Sequence, residues 1–402
     1  MLTHWIWFSQ LPGLKGRQKL QLLEHFRSPE DIYLLQKDEI RNLRFLGENA
    51  QLGILNKDLT QASRILKTCA DKKIGVLAFT DSGFPERLRR IDDPPMVLYY
   101  LGKLPAWELQ PLIGIVGTRN ASTYGLRAAA NLSAQIAACG GLVVSGGALG
   151  IDTRALEGAL GQGKSTVAVL AGGLDSFYPK SNEPLFRKIM ENGCVLSENP
   201  PGASARKWDF LHRNRLISGI SNGVLVVEAP EASGALNTAR WASEQGREVF
   251  AVPGNIDVET CAGSNALIGE IAEAAVNGWS VMSHYRDIYP DTVKKVQPQL
   301  KPEAMPGPMV AQQSEKPTLQ AKADKINVDK PTVSPYSVKD NVLSMLSPQE
   351  KAIVELLTKD PIPVDVVMEK LQLPSGTVLS ILTKLAVKGV VKNHPGKLIS
   401  LN

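Results

Sequence analysis

Residues 112–152, LIGIVGTRNASTYGLRAAANLSAQIAACGGLVVSGGALGID, decide the fold class. Leu112 to Val116 is a short apolar run, Tyr124 to Ala138 carries apolar residues at helical spacing, and Leu142 to Val144 is a second apolar run. The alternation continues with apolar runs at Thr166 to Leu170, Cys194 to Leu196, Val224 to Val227 and Val249 to Val252, and with helical spacing at Gly234 to Gln245. Runs that are apolar at every position belong to strands covered on both faces. Alternating with helices, they predict an α/β fold with a doubly wound parallel sheet. Ligands of such sheets sit beyond the carboxyl ends of the strands.

Two of those ends carry glycine-rich turns. Gly117-Thr118-Arg119 follows the first run and precedes a helix, so free amides at the helix start and the planar fork of Arg119 suit a phosphate. Ser145-Gly146-Gly147-Ala148-Leu149-Gly150-Ile151-Asp152 repeats the arrangement after the second run. Alone, these glycines would equally serve tight strand-to-helix packing. Beside them stands SENPPGASARKWDFLHRNRLISGISNGVLVVEA, residues 197–229, expected to be a loop that presents Arg206, Lys207, Trp208, Phe210, Arg213 and Arg215 with only Asp209 opposing. Cations neutralise phosphates and aromatic faces accept unstacked bases, so this mixture suits a single-stranded nucleic acid. The competing reading is a solvated basic loop with Trp208 or Phe210 turned into the core.

Other motifs carry less. Gly158 to Ser165, GALGQGKS, matches GxxxxGK[ST] letter for letter, but a phosphate-cradling loop must follow a strand and open a helix. Here a helix precedes and a strand follows, so Gly161 to Gly163 reads as a helix end. Ser233-Gly234 reads as a helix start after Glu228-Ala229-Pro230, and Lys180, after the third run, has a phosphate or solvent as alternatives. Five scattered histidines give no triad or HExxH, and His212 alone falls in the candidate site, as a polar neighbour. Cys69, Cys139, Cys194 and Cys261 form neither a disulfide framework nor a zinc site. No cofactor and no metal are expected. A net charge of +5 permits a polyanion partner. No apolar run is long enough to span a bilayer, and MLTHWIWFSQLPGLKG lacks a basic leader and a cleavage site, so a cytoplasmic location and no membrane partner are expected.

The ends of the chain differ from the middle. Residues 1 to about 105 read as helical, with Leu20, Leu22, Leu23 and Phe26 on one face and a turn at Leu11 to Gly16. From about 290 to 342 the chain is rich in Pro, Lys, Gln and Ser, which predicts a flexible tether. Beyond it, helical patterns at Pro348 to Thr358, Val364 to Leu371 and Gly376 to Lys388 precede Val390 to Lys392 and Leu398 to Leu401, flanking His394-Pro395-Gly396. Three helices and a hairpin describe a winged helix, although its third helix offers only Lys384 and Lys388 to DNA. Protein contact or a structural role is an open alternative there.

Six ordered blocks carry a resemblance: GIVGTRNASTYG (114–125), VSGGALGID (144–152), AGGLDSFYP (171–179), FLHRNRLISGIS (210–221), VVEAPEASGALNTARWASEQGREVFAVPG (226–254) and GSNALI (263–268). Together with FPERLRRIDDPPMVLYYLGKL (84–104) they resemble the DNA-processing protein A (DprA/Smf) family. The resemblance implies an N-terminal helical SAM-like domain (1–82), an extended Rossmann-like domain that binds single-stranded DNA (83–288) and a winged helix (344–402), with the tether read from composition as a disordered linker between the last two (289–343). It further implies a homodimer formed through the Rossmann-like domain, no enzymatic activity, and loading of the recombinase RecA during natural transformation. Carried over by motif, the DNA-binding residues are Thr118, Arg119, Ser145, Gly146, Lys207, Phe210, Arg213, Asn214 and Arg215, to which the glycine-rich turns themselves add Gly117 and Gly147. Trp208 and His212 receive no role. The alternative is an enzyme that binds nucleotides or hydrolyses nucleoside monophosphates in the same pocket; such hydrolases carry PGGxGTxxE, whereas EAPEASGALNTA at 228–239 lacks the Gly-Gly pair and the acidic residue.

Overall fold

Leu112–Val116 (β3) shows how sequence becomes layer. Leu112 and Val116 join the core on one face of the sheet, Ile113 and Ile115 join the core on the other, and Gly114 gives Ile217 and Ser221 room to approach. Each fully buried Ile contributes about 1.5–3 kcal/mol relative to exposure. The computed structural model describes residues 1–296, 348–358, 362–371, 378, 381, 382, 385, 390–394 and 398–401.

Around β3 lie Gly75–Ala78 (β1), Val97–Gly102 (β2), Leu142–Ser145 (β4), Thr166–Val169 (β5), Cys194–Ser197 (β6), Gly223–Val226 (β7), Glu248–Ala251 (β8) and Glu273–Ala274 (β9). The sheet runs β1-β2-β6-β5-β4-β3-β7-β8-β9. From β6 to β9 every pairing is parallel, while β1 and β2 add an antiparallel edge. Strand order reverses at β3: the chain steps outward to β6, then returns to place β7 on the other side of β3. The doubly wound parallel sheet is therefore as expected, and its central strands fall within a residue or two of the apolar runs. The all-helical reading of residues 1 to 105 is corrected, because β1 and β2 lie inside it. Their runs are short, and it is the pairing with β6, far along the chain, that makes them strands.

The N-terminal segment forms α1 (Leu2–Ser9), α2 (Gly16–Phe26), α3 (Pro29–Leu34), α4 (Lys37–Asn42), α5 (Glu48–Leu55) and α6 (Thr60–Asp71). Its core of Trp5, Phe8, Leu22, Ile32 and Ile40 is continuous with Met96, Val97 and Tyr99 at the sheet edge. The short α7 (Glu86–Arg89), then α8 (Thr123–Ala138), α9 (Ile151–Gly161), α10 (Glu183–Asn192), α11 (Lys207–Ile220), α12 (Gly234–Glu244), α13 (Ala262–Glu270) and α14 (Gly278–Met282) complete the layers. The GALGQGKS segment behaves as its order foretold. It ends α9 and leads into β5, and Gly158 lies where α8 packs so closely that a Cβ would strike Ser133 and Ala130.

A second compact unit lies towards the C-terminus. Its described residues form helices Pro348–Leu356 and Val364–Leu371 and an antiparallel sheet, Ile362–Pro363 (β10), Val391–His394 (β11) and Leu398–Leu401 (β12), around Ile353, Val367, Leu382, Leu385 and Ile399. Of the expected third helix only residues 378, 381, 382 and 385 are described. Lys384, Lys388, Pro395, Gly396 and most of the expected tether lie outside the described residues.

Candidate nucleic-acid interface

The turns after β3 and β4 are neighbours, since β3 and β4 pair in register from Leu112 and Leu142. Thr118 donates its amide to the Glu228 carbonyl at 2.7 Å, which fixes the turn against the end of β7. The buried Glu228 carboxylate accepts from Ser122 at 3.1 Å (N) and 3.0 Å (Oγ) and from the Thr260 hydroxyl. Ser122 in turn caps α8 by accepting from the Gly125 amide. Gly150 has a φ of +80°, and a side chain there would strike the Thr118 and Arg119 carbonyls at 2.5 Å, so the second turn is pressed against the first.

The segment expected to be a basic loop is corrected to a helix, α11. Asp209 is the reason: its carboxylate accepts from the Arg206 amide at 2.8 Å and pairs with the Arg206 guanidinium at 3.2 Å, capping the helix start. From its tip α11 runs inward, and every residue from Arg213 to Ile220 is buried. Lys207 and Trp208 stay in solvent, and Phe210 is half-buried.

Among the predicted residues, the structure joins Arg119 and Phe210 directly. The Arg119 guanidinium lies 4.9 Å from the centre of the Phe210 ring, and Tyr178 meets that ring edge-on at 5.6 Å. Lys207 stands one turn before Phe210 on α11. Gly117 and Thr118 are half-buried beneath Arg119. The other six are buried. Ser145 donates its hydroxyl to the Ile115 carbonyl at 2.7 Å, Gly147 has a φ of +67° with the Phe186 ring against it, and Gly146 is wedged beside Arg213 and Asp152.

Arg213 and Arg215 therefore do not reach solvent as expected. Arg213 donates to the Gly146 carbonyl at 2.8 Å and to the Val169 carbonyl, clamping the ends of β4 and β5. Asn214 donates to the Gly234 carbonyl at 3.1 Å. Arg215 forms a two-pronged pair with Glu198 at 3.0 and 2.6 Å and reaches Asp93 at 3.0 Å. His212 stands beside the same carboxylates, 3.5 Å from Glu198 and 3.7 Å from Asp93. Burial, then the nearby Arg215 charge, pulls the His212 imidazole below its ordinary value.

Tyr178 and Trp208, to which the resemblance assigns no role, are both exposed aromatics flanking Phe210 in space or sequence, so Trp208 is not turned into the core. The signal for Tyr178 was its place in AGGLDSFYP, directly beyond β5. Nothing local marked Asp93 and Glu198 as the partners of Arg215. Burial pushes the Asp152 carboxyl up to about 6, against the pull of Arg213 and of the Ala148 and Gly146 amides. Chemically, the surface offers a flat cation-backed ring, exposed cations and a helix N-terminus, which suits stacking and phosphate neutralisation.

The chain is similar to known proteins over most of its length. Residues 75–286 match the family model of DNA recombination-mediator protein A, and residues 339–397 match that of the DprA winged helix domain. The chain is 32% identical over 407 residues to Protein Smf of Synechocystis, covering 98% of this chain and 97% of that protein. It is 37% identical over 235 residues to DNA processing protein DprA of Bacillus subtilis, covering 58% of this chain and 78% of that one. The X-ray structure of DNA processing protein A (DprA) from Streptococcus pneumoniae is similar with a TM-score of 0.62 at 33% identity, covering 70% of this chain and 98% of that chain.

Proposed function

Since this chain belongs to the DNA recombination-mediator protein A family, we propose that it binds single-stranded DNA at the Arg119–Phe210 surface and hands the strand to a RecA recombinase during natural transformation. It acts as a non-enzymatic mediator in the cytoplasm, as a homodimer formed through its Rossmann-like domain. The observation that carries the reading is the Arg119 guanidinium 4.9 Å from the Phe210 ring centre, at the carboxyl edge of the sheet. A ring backed by a cation there accepts an unstacked base, which a duplex does not offer, while Arg119 and Lys207 neutralise flanking phosphates.

Within this reading Gly117 and Thr118 bring the backbone close to the strand. Ser145, Gly146 and Gly147 shape the turn beneath, and Arg213, Asn214 and Arg215 hold α11 in place from inside. The test is fluorescence anisotropy with labelled oligo-dT and a duplex of equal length, titrated with salt, on the wild type and Arg119→Glu. The wild type should prefer the single strand and Arg119→Glu should bind it at least tenfold more weakly. Equal affinity of the two proteins for oligo-dT would overturn the assignment.

A further inference from the structure

The far edge of the sheet holds a cluster that the DNA-binding surface does not use. On β8, Glu248 and Phe250 are two residues apart and so share a face. The parallel register sets Glu273 of β9 beside Phe250, which puts its side chain on that face too. The 3-10 turn Ser283–Tyr285, directly after α14, lays the His284 ring edge-on against Phe250 at 5.0 Å and 80°. His284 Nε2 stands 3.3 Å from Glu273 Oε2, and one ligand atom from each of Glu248, Glu273 and His284 falls within 4.8 Å of the others.

Charge and geometry agree on an occupant. Among the described residues no ion pair engages Glu248, and the neighbouring cations are committed elsewhere: Arg247 donates to the Arg87 and Gly219 carbonyls at 3.2 and 3.1 Å, and Arg286 pairs with Asp287 at 3.0 Å. Among the described residues, two carboxylates thus converge on one imidazole, and His284 is the basic group paired with them. Metal–ligand bonds of about 2.0–2.2 Å set the edge of a tetrahedron at about 3.3–3.6 Å, which matches the separation of His284 and Glu273. Two carboxylate oxygens and one imidazole nitrogen leave a fourth position for water and favour a borderline divalent ion over magnesium.

We propose that Glu248, Glu273 and His284 form a zinc-class divalent cation site that ties the edge strand β9 and the turn after α14 to β8. The four buried cysteines do not compete for the ion in the folded protein. Calorimetric titration of the untagged full-length chain with zinc chloride tests this, beside His284→Ala and Glu273→Gln. Both substitutions are at exposed positions and lie apart from the DNA-binding surface, so oligo-dT affinity measured on the same samples reports that each variant is folded. The expected result is saturable binding of one ion at this site, weakened at least tenfold in both variants and not displaced by excess magnesium, with oligo-dT affinity unchanged. Zinc affinity equal in the wild type and both variants, or no saturable binding, overturns the proposal.

Discussion

At the scale of single residues, Phe210 carries the sharpest expectation. If its ring stacks a base, Phe210→Ala should weaken oligo-dT binding by about 1–3 kcal/mol, read by anisotropy, and unchanged affinity would return the ring to a packing role. Gly146 is a residue with no room to grow. A Cβ there would lie 2.5 Å from Arg213 Nη1 and 2.6 Å from Asp152 Oδ2. Gly146→Ala should therefore lower stability by about 1–3 kcal/mol in urea unfolding, by displacing the clamp on β4 and β5. Asp152 adds a pH dependence. Its carboxyl is raised from an ordinary 3.8 to about 6, so the folded state holds the proton more tightly than the unfolded chain. That contribution to stability is complete below the unfolded value and is lost as pH rises through about 6. Asp152→Asn should flatten the fall in unfolding free energy between pH 4 and pH 6.5. An identical slope in the variant would show that another group titrates there.

At the scale of elements, α11 divides its work along its length. Its first turn offers Lys207 and Phe210 to the surface, and its later turns anchor it through Arg213, Asn214 and Arg215. Removing the buried Arg215 takes away the one guanidinium bonded to both Glu198 and Asp93 and leaves them His212 and Lys19 nearby, so Arg215→Ala should cost about 3 kcal/mol of stability by chemical denaturation. Lys207→Ala should leave stability unchanged while reducing the log-log salt slope of oligo-dT binding by about 0.7, the share of one phosphate. The reverse pattern would exchange their roles. The sequence of this helix reads as a loop because it shows no single apolar face: charged and apolar residues alike are buried from Arg213 onward. The partners that make such burial tolerable are remote, with Gly146 lying 67 residues and Asp93 122 residues from the arginine each receives. Strand β9 leaves no mark in the sequence for another reason, since two residues carry no periodicity.

At the scale of the whole molecule, the two compact units have separate cores, Ile353 to Ile399 in one and the sheet layers in the other. A chain ending at residue 296 should therefore keep its oligo-dT affinity within about twofold, which anisotropy on the truncated protein would check; a loss of tenfold or more would place essential binding in the C-terminal unit. Among the described residues no helix is long and apolar enough to cross a membrane. The sequence by itself determined the α/β class, the central strands and the glycine turns at their carboxyl ends. Those features are local: a strand covered on both faces must be apolar at each position, and a tight turn needs glycine where φ is positive. Tertiary structure alone decided which of the cations face water. Arg119 and Lys207 do, while Arg213 and Arg215 are drawn inside, because only the assembled sheet brings carbonyls and carboxylates from distant segments close enough to balance a buried charge.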